Sequence, residues 1–177
     1  PGKAVQYLRL SASRFYPRAM LQLGNLYKTG EGLPKNLPLA HHWYLLCSKQ
    51  GHPACAYQAG VMFDDGEGVS QNHQNAYRFF RYAASKDYTP AQNRLALLYL
   101  FGKGTKADPA KAVDLLQQAA GKGSISASYY LGLLYFEGKV VSRNLNKAHQ
   151  YFEQAREHPN ARHYLDNWQQ LSTQPAK

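Results

Sequence analysis

A small residue returns every 36 positions in this chain, at Gly24, Gly60, Ala96 and Gly132. Its neighbours keep the same step: Leu23, Ala59, Leu95 and Leu131 just before it, Leu26, Met62, Leu98 and Leu134 two residues after it, Tyr27, Phe63, Tyr99 and Tyr135 three after it, and Gly30, Gly66, Gly102 and Gly138 six after it. A fixed period of this size restricts the fold more than composition does, because each unit has to bury its apolar surface against copies of itself. The expected product is a stacked-repeat solenoid whose core is a ribbon.

Residue choice within each period writes a pair of helices. Gly24, Gly60, Ala96 and Gly132 sit inside a helical pattern, and the ~1 kcal/mol helix cost of Gly is tolerable where a partner helix comes close. Gly30, Gly66, Gly102 and Gly138 fall where that helix stops in a left-handed residue. Asn36, Asn72, Asp108 and Asn144 then supply a side-chain oxygen for the free N–H groups of the next helix, at about 1 kcal/mol per cap. Ala40, Ala76, Ala112 and Ala148, with Trp43, Phe79, Leu115 and Tyr151 three residues later, mark its buried face. Val140 stands where the other repeats carry a second turn Gly, so that loop is expected to take another shape.

This register divides residues 1–171 into one solenoid. Residues 1–15, with a helix over 3–15, read as the second helix of a repeat, and Pro1 is in phase with Pro109, as in a longer array. Repeats follow at 16–51, 52–87, 88–123 and 124–159, the first with helices from about Pro17 to Thr29 and Leu37 to Lys49. A capping helix is expected over 160–171, where polar Asp166, Gln169 and Gln170 replace Gly132, Tyr135 and Phe136, and a frayed tail over 172–177.

The net charge is +10, and residues 1–63 carry seven Lys or Arg against one acid. These cations are scattered singly, so nucleic acid is not the expected partner. Asp64, Asp65 and Glu67 read as a solvated loop or an acidic edge. No run approaches the ~20 apolar residues that cross a bilayer, and no signal-peptide pattern is present. Among the seven His there is no His-x-x-x-His pair, and no Cys/His cluster is expected, so neither metal nor other cofactor is called for. Nothing sets an activated nucleophile beside a base, which argues against an enzyme.

With Gly60, Phe63, Gly66, Gly68, Val69, Asn72, Ala76, Phe79, Ala83 and Ala84 in one period, the chain resembles Sel1-like repeats, a subclass of tetratricopeptide-like repeat. Ala59, Ala96, Val140 and Asp87 depart from that pattern. The resemblance implies an all-α, right-handed α-solenoid of antiparallel helix pairs that scaffolds other proteins, the first helix of each pair lining a concave groove. On this register the partner-facing positions are Arg18, Leu21, Asn25 and Lys28 in the first repeat and Tyr57, Val61 and Asp64 in the second. They continue as Asn93, Leu97 and Leu100 in the third repeat, Tyr129, Leu133 and Phe136 in the fourth, and His163 and Asn167 at the end. Apolar positions with basic Arg18 and Lys28 at one end suit a peptide or helix of another protein. Alternatively, Leu97, Leu133 and Phe136 pack against neighbouring repeats. The net charge and the many tyrosines also motivate a second reading, an envelope glycan or anionic-polymer binder.

Cys47 and Cys55, the only cysteines, lie eight apart across the turn between two repeats, where other repeats carry Ala. Neighbouring antiparallel helices bridge there if the Cα atoms come within ~7 Å. Cysteine-rich bacterial relatives of the family place a pair with this separation one position later. The alternative is two small buried thiols in a cytoplasmic protein. The reading taken is a disulfide, and with it a periplasmic or envelope-associated protein.

Overall fold

Turn glycines and caps do locally what their spacing requires. In the computed structural model, which describes residues 2–173, Gly30, Gly66, Gly102 and Gly138 have φ of 83°, 71°, 65° and 73°. Asn36, Asn72, Asp108 and Asn144 accept from the N–H three residues on, at 2.9, 2.9, 3.1 and 2.9 Å. Their own N–H groups donate back to the carbonyls of Tyr27, Phe63, Tyr99 and Tyr135 at 2.8–2.9 Å, which closes each loop. The resulting helices are α1 (Gly2–Ser13), α2 (Pro17–Thr29), α3 (Leu37–Lys49), α4 (Pro53–Asp65), α5 (His73–Ser85), α6 (Thr89–Phe101), α7 (Pro109–Gly121), α8 (Ile125–Glu137), α9 (Leu145–Gln154), α10 (Pro159–Asp166) and α11 (Trp168–Ser172). This is an α-solenoid repeat of about 36 residues, and no helix among the described residues is long and apolar enough to cross a membrane.

The small mid-helix residues make room for one large side chain each. A Cβ on Gly24 would sit 2.5 Å from Tyr44, one on Gly60 2.7 Å from Phe80, and one on Gly132 2.6 Å from Phe152. In the third repeat Ala96 and Leu116 hold these positions, both fully buried in one cluster. The deepest side chains are therefore Tyr44, Phe80, Leu116 and Phe152, whereas Trp43, Phe79, Leu115 and Tyr151 are only half-buried against the same cores. The reason is angular: at roughly 100° per residue, the position four after the conserved Ala lies about 40° from it and the position three after lies about 60° away on the other side.

Packing groups the chain into two compact units, the first running from the N-terminal end to Ala91 and including Gly102–Lys106, the second holding Gln92–Phe101 and the described residues from Ala107 on. The first is cored by Met20, Leu23, Tyr44, Met62 and a line of alanines, the second by Leu116, Leu131, Tyr135 and Phe152.

Three local expectations are corrected. Helix α1 stops at Ser13 because Phe15 is left-handed (φ 61°), at the turn position where Gly51 and Gly123 have φ 82° and Asp87 φ 63°. The single capping helix breaks at Asn167, whose backbone N–H and side-chain amide both donate to the His163 carbonyl, at 3.2 and 2.9 Å. That competition with the helix ladder ends α10 and starts α11. Ser172 closes α11, so the expected tail does not begin there; residues 174–177 and the phase of Pro1 lie outside the described residues. The Val140 loop differs as expected: Gly32, Gly68 and Gly104 have φ of 74°, 75° and 68°, and Val140 is not left-handed.

Candidate functional site

In the first unit the expected partner-facing residues come from α2 and α4. Arg18 and Asn25 are exposed, Leu21, Lys28, Tyr57 and Asp64 are half-buried, and Val61 is buried at 7% exposure. Several already have partners within the chain. Asn25 Oδ1 accepts from the Tyr44 hydroxyl at 2.7 Å, Lys28 Nζ lies 3.4 Å from Glu67 Oε2, and Asp64 Oδ1 lies 2.8 Å from His73 Nδ1. The Tyr57 ring packs on Phe80 and Tyr88 at 5.8 and 5.4 Å. Burial first, then the charge of Glu67, pushes the Tyr44 phenol well above its ordinary range, so it stays a proton donor to Asn25. Glu67 thus serves as an ion-pair partner and Asp64 as a hydrogen-bond partner within the chain, more than as a free acidic edge. Arg18, Leu21 and part of Tyr57 are what this face offers outward.

In the second unit the residues come from α6, α8, α10 and the break after it. Asn93 donates to Ser124 Oγ at 2.8 Å, and that oxygen caps α8. Leu97, Leu100 and Leu133 are half-buried, and the last two pack on the core. Tyr129 stacks on His158 at 4.2 Å, and burial raises the pKa of its hydroxyl. Phe136 sits 5.3 Å from Tyr164 and 5.9 Å from Trp168. His163 is exposed and Asn167 half-buried at the helix break. Both alternatives drawn from sequence therefore have residues on their side. Phe136 and Tyr129 spend their rings on the end-cap cluster, Leu97 is only partly exposed, and His163 is exposed.

Sequence reasoning missed three features. Between α3 and α5, above α4, lies a cleft of about 470 Å³ lined by Leu45, Phe63, Phe79 and Tyr82 with Lys49 and Arg78. Only the half-buried Phe79 position hinted at it. Tyr7, Leu10, Phe15 and Tyr16 are exposed at 71, 50, 57 and 59%. The third lies beside the disulfide already read from the sequence, Cys47–Cys55, whose Cα atoms are 5.7 Å apart and whose side chains are fully buried. The expectation that the chain holds no Cys/His cluster is corrected here, because a ring nitrogen of His52 and the two sulfurs lie within 4.8 Å of one another. The signal was the spacing Cys-x4-His-x2-Cys, which matches no common metal pattern and is closed only by the turn at Gly51.

The sequence pattern of Sel1 repeats matches residues 1–14, 17–52, 53–88, 89–124 and 125–160. Among solved structures, a protective antigen present in uropathogenic Escherichia coli strains and displaying an SLR fold is 32% identical with a TM-score of 0.82, the match covering 88% of this chain and 33% of that one. A Sel1 repeat protein from Oxalobacter formigenes is 29% identical with a TM-score of 0.79, over 85% of this chain and 62% of that one. This chain therefore spans less than two thirds of the length of either. An immunity protein from Pseudomonas aeruginosa shares the fold at 23% identity and a TM-score of 0.60, over 99% of this chain and 76% of that one. A comparison with curated protein sequences finds no match.

Proposed function

The chain belongs to the Sel1 repeat family, and from that premise we propose that it is a non-catalytic scaffold whose first-helix faces hold a peptide or helix of another protein in a bacterial cell envelope. The observation that carries the reading is a division of labour along each first helix. Several positions that repeat are consumed by the core, as Leu23, Met62 and Leu131 are, whereas among those that differ Arg18, Leu21 and Leu97 stay wholly or partly exposed and Val61 is buried. Apolar contact area beside a fixed charge is what peptide recognition uses. The buried Cys47–Cys55 disulfide supports an oxidising compartment.

Arg18→Glu and Leu97→Ser test this better than truncating Tyr57 or Tyr129, whose rings also hold the fold together. Each variant and the wild type are used to capture partners from a bacterial envelope extract. The expected outcome for each variant is loss of a captured protein, about tenfold or more for a contact worth 1.4 kcal/mol or more, with melting unchanged. Undiminished capture by both well-folded variants overturns the reading. Exposed Tyr7 and Tyr16 favour the glycan alternative, and added polysaccharide that displaces every protein partner would choose it.

A further inference from the structure

The turn that joins α3 to α4 brings three metal-ligating side chains to one point. Cys47 is in the last turn of α3, His52 is the N-cap of α4 and Cys55 is in its first turn. Gly51 in the left-handed region (φ 82°) and Pro53 at the start of α4 fix the backbone on both sides of His52. The imidazole is not used as a cap: it makes no hydrogen bond to the helix N-terminus, and its buried Nδ1 has no hydrogen-bond partner among the described residues. A buried ring nitrogen without a partner carries a desolvation cost that a ligand would remove. His158 also leaves Nδ1 buried at an N-cap, but its ring is stacked on Tyr129.

We propose that, once its disulfide is reduced, this protein binds one thiophilic d10 cation, Zn(II) being the reference case, through Cys47 Sγ, Cys55 Sγ and a ring nitrogen of His52. A dithiol reductant breaks the S–S bond, giving up two electrons and two protons and itself becoming a disulfide, while Cys47 and Cys55 become thiols. The cation then displaces the two thiol protons to solvent, and neutral His52 lends a lone pair. Two thiolates on tetrahedral zinc sit roughly 3.8 Å apart for Zn–S bonds of about 2.3 Å. Cα atoms 5.7 Å apart allow that spacing by rotation of the side chains alone. Two cysteines and one histidine leave a fourth position for water, an arrangement zinc accepts. The oxidised protein offers no thiolate, so the disulfide and the metal are mutually exclusive states of one site.

The repeat register supplies substitutions that other repeats already carry. Ala occupies the two cysteine positions in later repeats, and Ser124 occupies the His52 position. Zn(II) is titrated into oxidised and phosphine-reduced full chain, and into Cys47→Ala/Cys55→Ala and His52→Ser, with a chromophoric chelator competing for metal and circular dichroism checking the fold. One equivalent is expected in the reduced wild type and none in the oxidised protein or the double Ala variant. His52→Ser is expected to bind about tenfold or more weakly. Co(II) in place of Zn(II) should give sulfur-to-metal charge-transfer absorption. Absence of zinc binding by the reduced, folded protein overturns the proposal, as does equal affinity in His52→Ser, which would leave only an ordinary dithiol.

Discussion

Helix α3 meets α4, and α7 meets α8, through the same two register positions. The first junction fills them with Cys47 and Cys55 and the second with Ala119 and Ala127, all fully buried. Ala83 and Ala91 hold them in the intervening repeat, also with no exposure. Small side chains there let helices approach closely. Sulfur fits the first junction because the backbone approach that alanine demands already sets Cα atoms 5.7 Å apart, inside the range a bridge needs. The covalent link is thus an addition to a contact that the repeat makes without it.

The largest effect follows directly. Cys47→Ala/Cys55→Ala restores the residues of the other junctions, so the variant should fold with the same helix content. It should also lose about 2–3 kcal/mol against the oxidised wild type, the chain-entropy value for so short a loop. Denaturant midpoints in oxidant and in reductant measure it, and in reductant the gap should close. A double variant that fails to fold cooperatively under both conditions would break the equivalence of the two junctions.

That equivalence was legible in the sequence, because turn glycines, caps and small residues act locally and recur at constant spacing. The cap oxygens of Asn36, Asn72, Asp108 and Asn144 reach the N–H groups expected of them. Depth was less legible: a three-residue step from Ala40 pointed to Trp43, while Tyr44 fills the hole above Gly24. The partner-facing row was least so. Asn25, Lys28 and Asp64 vary between repeats, which reads as surface function, yet each is bonded to a residue 9–39 positions away in the chain. Variability marks freedom from the repeat's own packing and does not exclude private contacts. His52 escaped notice because its partners are defined by a turn, and spacing alone does not show how that turn closes.

A converse change sharpens the comparison with a smaller effect. Ala119→Cys/Ala127→Cys should oxidise spontaneously, leave no free thiol at this junction and raise stability by roughly 1–2 kcal/mol, less than the ideal value because engineered bridges carry strain. Thiol counting and the denaturant midpoint check it. If the pair stays reduced in air, the second junction does not share the geometry of the first.

The smallest effect lies on a link between α2 and the turn after α4. Lys28 on α2 reaches Glu67 beyond α4 at 3.4 Å, with the two side chains 26 and 36% exposed. Two periods on, these positions are Leu100 and Lys139, which cannot form an ion pair. Glu67→Gln should therefore lower stability by less than about 1 kcal/mol, and less still as salt rises. The same substitution has a sharper alkaline signature. The Tyr44 phenol is raised in the folded chain, chiefly by burial and secondly by Glu67. Above pH ~10 the unfolded chain releases that proton while the folded chain retains it, so stability falls as pH rises. Removing the Glu67 charge withdraws the second cause only, so a spectrophotometric alkaline titration of the folded chain should show the buried phenol ionising at lower pH in Glu67→Gln than in the wild type. Coincident titrations would mean that Glu67 holds Lys28 alone and that nothing electrostatic couples this pair to the Tyr44 core.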